Sequence, residues 1–187
     1  MYIMIKFFWA IRALQYKLLM GKVGRLCYMG KPLFLSNPKR IFIGNKVRIF
    51  PHFRMEVLDS NSSIVIHDNV SIGQNFHVIS GASLHIGTGT TISANVLITN
   101  VDHSYADVSS SVMSQSLIVK ETTVGDNCFL GVGSVLQAGT CLGSNCVVGA
   151  NSVVKGVFPE RCVIAGVPAK IIKLYDSSTQ VWKTMDK

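Results

Sequence analysis

No carboxylate occurs before Glu56, although residues 1–55 carry eleven Lys or Arg. Residues 56–187 hold seven basic and ten acidic side chains, so the net charge of +8 belongs to the N-terminal part of the chain. A one-sided basic segment implies a partner of negative charge there. A Cys-x-x-Cys pair is also missing. The five cysteines, Cys27, Cys128, Cys141, Cys146 and Cys162, are odd in number and lack metal-ligand spacing. That excludes a zinc ribbon or a disulfide framework, leaves no metal expected, and suits buried thiols in a reducing compartment. No uncharged run approaches the ~20 apolar residues of a transmembrane helix. No small-residue cleavage site follows the N-terminal apolar region, which argues against a secretory signal. The length of 187 residues allows one domain with appendages.

What is present is a period. Val124, Leu130, Leu136, Leu142, Val148 and Val154 fall on every sixth position. Six fits neither one face of a helix nor the alternation of a lone strand. It fits a β-helix, in which three hexapeptides make one triangular coil. Val124 is then expected over Leu142, and Leu130 over Val148. The pattern begins upstream with Ile43 and Ile49, resumes with Ile66, Ile72 and Val78, and continues after a two-residue slip with Ile86, Ile92 and Ile98. The expected fold is an all-β core: a parallel β-helix over residues 41–165, preceded by a basic arm (1–40) and followed by a short tail (166–187). Gly and Asn after the repeat aliphatics suit its corners, because both tolerate positive φ. Residues 101–117 break the period with Asp, His, Tyr and six Ser and read as a loop thrown out of the coil.

In the arm, Ile3, Phe7, Ile11, Leu14 and Leu18 follow helical spacing, with Lys6, Arg12 and Lys17 off the stripe. Gly21 and Gly24 are the expected stops. Two placements stay open. The helix packs on the β-helix or on a neighbouring subunit, or it lies in a membrane surface with Phe7, Phe8 and Trp9 in the acyl boundary. Nucleic acid is not expected, because the basic residues alternate with large aliphatics and no recognised motif is present.

The loop opens with Thr99-Asn100-Val101-Asp102-His103-Ser104-Tyr105. His52, His67, His77 and His85 sit in or beside repeat positions and read as structural. His103 follows an Asp where the coil opens, and an imidazole titrating near neutrality suits a general base. Asn100, Asp102 and Tyr105 are candidate substrate contacts beside it.

The hexapeptide array, the Asn-Val-Asp-His loop, the run Val-Gly-Asp-Asn-Cys-Phe-Leu-Gly-Val-Gly and the terminal Ala-Gly-Val-Pro-Ala-Lys-Ile-Ile-Lys together resemble the left-handed β-helix acyltransferases. Within these, the chain looks most like the maltose, galactoside and virginiamycin acetyltransferase branch, and especially the O-acetyltransferases of bacterial surface polysaccharides such as O-antigen and capsule. The likeness spans residues 41–175. It implies a cytoplasmic homotrimer, in solution or on the inner face of the cytoplasmic membrane. It also implies acetyl-CoA as co-substrate and the hydroxyl of a sugar, free or carried on a polyprenyl lipid, as acceptor. By resemblance, His103 is the base and the backbone amide of Val132, after Phe129-Leu130-Gly131, is the oxyanion donor. The amide of Ala150 meets pantetheine, Gly131 and Gly149 leave room for it, and Lys155, Lys170 and Lys173 meet the CoA phosphates. Departures from the pattern are Phe129 where Trp is common and Lys155-Gly156 where Thr-Lys is common. Two other readings stand beside this one: an N-acetyltransferase of an amino sugar, and a non-catalytic β-helix binding module.

Overall fold

Short strands succeed one another around three faces of a parallel solenoid. The computed structural model describes residues 2–185, with side chains from Met4 onward, so Ile3 of the expected stripe falls outside the described side chains. The first face stacks Lys22–Val23, Ile41–Ile43, Ser63–Ile66, Ser83–Ile86, Thr123–Val124, Cys141–Leu142 and Val157–Phe158. The second stacks Tyr28–Met29, Arg48–Ile49, Ser71–Ile72, Thr91–Ile92, Phe129–Leu130, Val147–Val148 and Cys162–Gly166. The third stacks Phe34–Ser36, Arg54–Val57, His77–Ser80, Leu97–Thr99, Val135–Leu136 and Val153–Val154.

Side chains alternate in and out along each strand, and the repeat aliphatics supply the inward set. Ile43, Ile49, Val78, Leu84, Leu130, Leu136 and Val148 are fully enclosed. The expected stacking is present: Val124 pairs with Leu142, and Leu130 with Val148. At the corner between the first and second faces, Lys46, Asn69, Gly89, Asn127, Asn145 and Arg161 all have positive φ. This left-handed turn costs an ordinary side chain strain, which is why Asn and Gly recur there.

The solenoid starts earlier than the sequence reading placed it. Lys22 pairs with Phe42, Tyr28 with Arg48 and Phe34 with Arg54. The segment 1–40 therefore divides into a helix and one complete coil. The helix, α1 (Tyr2–Leu19), lies on that coil, touching Lys22–Val23 and Tyr28–Met29. Ala13 and Met20 enter the core. The Trp9 ring packs 6.1 Å from Tyr28 and 5.3 Å from Phe50, centroid to centroid. Arg12 Nη1 donates to Met29 O (3.2 Å), and Lys39 Nζ donates to Leu18 O (2.8 Å), capping a last-turn carbonyl. The packed face is thus Trp9, Ala13, Tyr16 and Met20, and the stripe of Phe7, Ile11, Leu14 and Leu18 points outward.

The tail adds two antiparallel strands, Ala169–Asp176 and Val181–Thr184, to the second face. Opposite them, the loop after Thr99 is better ordered than a plain excursion. Val101–His103 pairs antiparallel with Leu117–Val119, making a two-stranded ribbon at its root.

Candidate functional site

Leu97 pairs with Val135, and Val135 with Val153, so the first step is twenty residues longer than the second. The extra residues form the ribbon, and the coil closes beneath it. Asn100 makes that closure possible. It is fully buried; its side-chain Oδ1 accepts from Gly81 N (2.8 Å), Nδ2 donates to Ser80 Oγ (3.3 Å), and its carbonyl accepts from Lys120 N (2.9 Å). Asn100 is therefore a clamp at the mouth of the loop and is not open to a substrate, contrary to the sequence reading.

His103 stands on the ribbon, half-buried. Its ring Nδ1 is enclosed and takes no hydrogen bond, which leaves Nε2 as the ring nitrogen open to a substrate. Asp102 does not orient the ring. Its Oδ1 accepts from the backbone N–H of His103 (2.9 Å), while Oδ2 lies 3.9 Å from Lys155 Nζ. Lys155 thus belongs to the His103 neighbourhood, as a long and solvent-exposed ion pair. Fifty-three positions separate the two residues, so no local pattern marks this pairing. Tyr105 lies beyond the ribbon and is exposed.

A second group gathers on the edge between the second and third faces. Gly131 N donates to Val148 O (2.9 Å) and Gly133 N to Ala94 O (3.0 Å), and the amide of Val132 between them has no acceptor among the described residues. One coil on, Gly149 N and Asn151 N are bonded to Ile164 O and Val132 O, and the amide of Ala150 is likewise unused. Two unused donors consequently lie one coil apart on the same edge, where Asn151 N meets Val132 O. Gly131 leaves no space for a Cβ against Ala150 N, and Gly149 none against Ala165. Their bareness is accounted for by the stacking of coils, whatever lies outside.

Lys170 and Lys173 lie just past this edge. Three residues apart on a regular strand they would face opposite ways. A bulge intervenes: Lys170 pairs with Ala165 and Lys173 with Val163, with a register shift between Val163 and Ile164. Ala165 and Val163 flank the inward Ile164, so both lysines share the outer surface. Phe129 and Val147 continue the Val163–Lys173 row on that surface. Among the described residues no cluster of three or more His, Cys, Asp or Glu is gathered to hold a metal.

The two groups stand at opposite ends of the third face. By the pairing of Leu97 with Val135, Ala138 sits one coil beyond Asn100. Val132 precedes Ala138 by six residues, or up to about 20 Å of extended chain. One chain therefore separates its base from its edge amides.

Residues 121–155 match the family described as the hexapeptide repeat of succinyl-transferase. The chain is a hexapeptide-repeat β-solenoid. A protein of Escherichia coli (strain K12), provisionally named lipopolysaccharide biosynthesis O-acetyl transferase WbbJ, is 34% identical over 101 residues, covering 50% of this chain and 52% of its own. The solenoid chain thus spans about half the length of that relative. Among solved structures, AntD, an N-acyltransferase of Bacillus cereus in complex with dTDP and 3-hydroxybutyryl-CoA, superposes with a TM-score of 0.75 at 18% identity over 90% of both chains. A hexapeptide-repeat-containing acetyltransferase of Vibrio cholerae gives 0.67 at 24% identity, over 90% of this chain and 82% of that one. A galactoside acetyltransferase in complex with coenzyme A gives 0.62 at 22% identity, over 94% and 75%. These likenesses establish the solenoid fold.

Proposed function

We propose that this solenoid is a CoA-dependent acyltransferase acting on a sugar. The observation that carries the reading is the alignment of the unused amides of Val132 and Ala150 with Lys170 and Lys173 along one edge. An extended thioester cofactor would lie along that edge with its carbonyl at Val132, its pantetheine amide at Ala150 and its phosphates at the lysines. An amide aimed at a developing oxyanion contributes a few kcal/mol to the transition state, and lysine binds phosphate as a point charge. The acceptor's nucleophile attacks the thioester carbon, its proton passes to His103 Nε2, the C–S bond breaks, and the thiolate leaves to be protonated.

Because base and amides lie at opposite ends of one face, the site is complete only where two chains meet. A homotrimer about an axis parallel to the solenoid would place the ribbon of one chain beside the edge of the next, giving three sites with closed symmetry. Native mass measurement tests this. A sharper test mixes His103→Ala chains with Lys170→Ala, Lys173→Ala chains after unfolding and refolding together. Recovered activity supports shared sites, and a stable active monomer refutes them.

Two acceptors compete. AntD, a 4-amino-sugar N-acyltransferase by the dTDP-4-amino-4,6-dideoxyglucose bound to one of its variants, favours the amine of a nucleotide-linked amino sugar. The relative named for lipopolysaccharide O-acetylation favours a hydroxyl of a surface polysaccharide or its lipid-linked precursor. The structural likeness covers far more of the chain, and we take the amino sugar as the leading reading. Following thiol release from acetyl-CoA and longer acyl-CoAs with nucleotide-linked amino sugars, and with the same sugars bearing hydroxyl in place of amine, separates the two. Release with neither class would refute sugar acylation.

A further inference from the structure

α1 is held by one face and unpartnered on the other. Met4, Phe7, Phe8, Ile11, Leu14 and Leu18 project away from the solenoid; Phe7 is 62% exposed, Leu14 60% and Leu18 79%. At helical pitch these six fall within an arc of roughly 120°, in which Gln15 is the only polar residue. The helix is not free to turn this face inward. Met20 and Ala13 are sunk in the core, Trp9 is wedged against Tyr28 and Phe50, and Arg12 is bonded to Met29 O. A contiguous apolar face fixed toward water marks an interaction surface.

The surrounding charge says what kind. Arg12 and Lys17 border the apolar arc, and the first coil beneath it exposes Lys22, Arg25 and Lys31. The first 55 residues hold no carboxylate, and Asp68, which feels the charge of Lys22, sets one acidic group against these five basic ones. Apposing this face to a second copy would bring two net-basic rims together, a repulsive arrangement. A layer of phosphate-bearing headgroups supplies the missing countercharge and an apolar bed for Phe7, Phe8 and Leu14. No helix among the described residues is long and apolar enough to cross a membrane, so α1 would lie in the plane of the surface.

We infer that the outer face of α1, with the basic rim of the first coil, docks the protein on an anionic lipid surface. The solenoid then stands on the membrane by its N-terminal end. The inference is independent of the acyl-transfer reading, because it uses none of the residues assigned to that site.

Co-sedimentation of the full-length protein with vesicles tests it. Binding is expected to vesicles of phosphatidylcholine containing roughly one third phosphatidylglycerol, to fall steeply with added salt, and to be at least tenfold weaker on phosphatidylcholine alone. Two double variants, Phe7→Gln with Leu14→Gln and Lys22→Glu with Arg25→Glu, should each lower the partition coefficient at least tenfold. Melting temperature and native mass should hold, since these side chains are exposed. Absence of binding to the anionic vesicles, or equal binding to both kinds, overturns the proposal. A change of native mass in the Phe7→Gln, Leu14→Gln variant also overturns it, by assigning the face to a second copy of the chain.

Discussion

Asp102 bonds the backbone N–H of His103, and the imidazole beside it receives nothing from that carboxylate. A neighbouring acid that cannot reach the ring cannot set its tautomer, so the two residues should respond differently to substitution. His103→Ala is expected to lower turnover by ~10²–10⁴-fold with acyl-CoA affinity retained. Asp102→Asn should cost less than about tenfold, since an amide oxygen can still accept from the same N–H. Steady-state kinetics of both variants check this, and an Asp102→Asn loss as deep as that of His103→Ala would show that the carboxylate acts on the ring after all.

Lys170 and Lys173 share a surface only through the bulge opposite Val163 and Ile164. Replacing either by Ala should raise KM for acyl-CoA severalfold with a smaller change in kcat, and the double variant should lose more than either alone. Adding 3′-phosphate-free CoA as a competitor distinguishes the two lysines. The one serving that phosphate should discriminate against the truncated competitor, and its Ala variant should not.

The fully buried Asn100 makes four hydrogen bonds, two of them through its side chain. Asn100→Leu should destabilise the fold by ~1–3 kcal/mol, because Gly81 N loses its acceptor, while Ser80 Oγ keeps Ser63 O and Ala82 O. Excising residues 101–120 should be milder. It returns the step between Leu97 and Val135 to that between Val135 and Val153. Thermal unfolding should show a variant with the parent's cooperativity and no transferase activity.

The thiols stack in the wall. Cys146 Sγ and Cys162 Sγ lie 3.4 Å apart, at hydrogen-bond distance and without a disulfide, and each also reaches Pro159 O. Burial pushes the Cys162 thiol up to about 12 and raises that of Cys27. Cys141 is the one cysteine that is not buried. Alkylation of the native protein near neutral pH should modify Cys141 alone, and all five cysteines should react after denaturation.

The six-residue period was enough to fix the coil, its stacking register and the place where the ribbon leaves, because each repeat aliphatic must be enclosed and each corner must turn. The first coil escaped notice although Val23, Met29 and Leu35 keep the same spacing. Lysines and arginines crowd the outward positions between them, and the aliphatic at the start of α1 drew the segment toward a helical reading. The co-facing of Lys170 and Lys173 was not legible at all, since a bulge leaves no mark in composition. Asn100 misled for a related reason: it stands beside His103 in sequence, and only the third dimension shows that it turns inward while the histidine goes out. The Asp102–Lys155 contact depends on how the ribbon folds back along the edge, which local sequence does not dictate.

The ribbon enters and leaves the solenoid through a gap closed by two hydrogen bonds, Lys120 N to Asn100 O and Thr122 Oγ1 to Thr99 O. Downstream, Lys155 meets the ribbon at Asp102, but the stacking of the hexapeptides on one another uses none of the intervening residues. Mutations there are shielded from the selection that keeps Val124 over Leu142, and mutations in the hexapeptides are blind to what the ribbon meets. The two parts can drift at separate rates. Likeness among hexapeptides then follows the ancestry of the prism, while likeness among ribbons follows the molecule being modified.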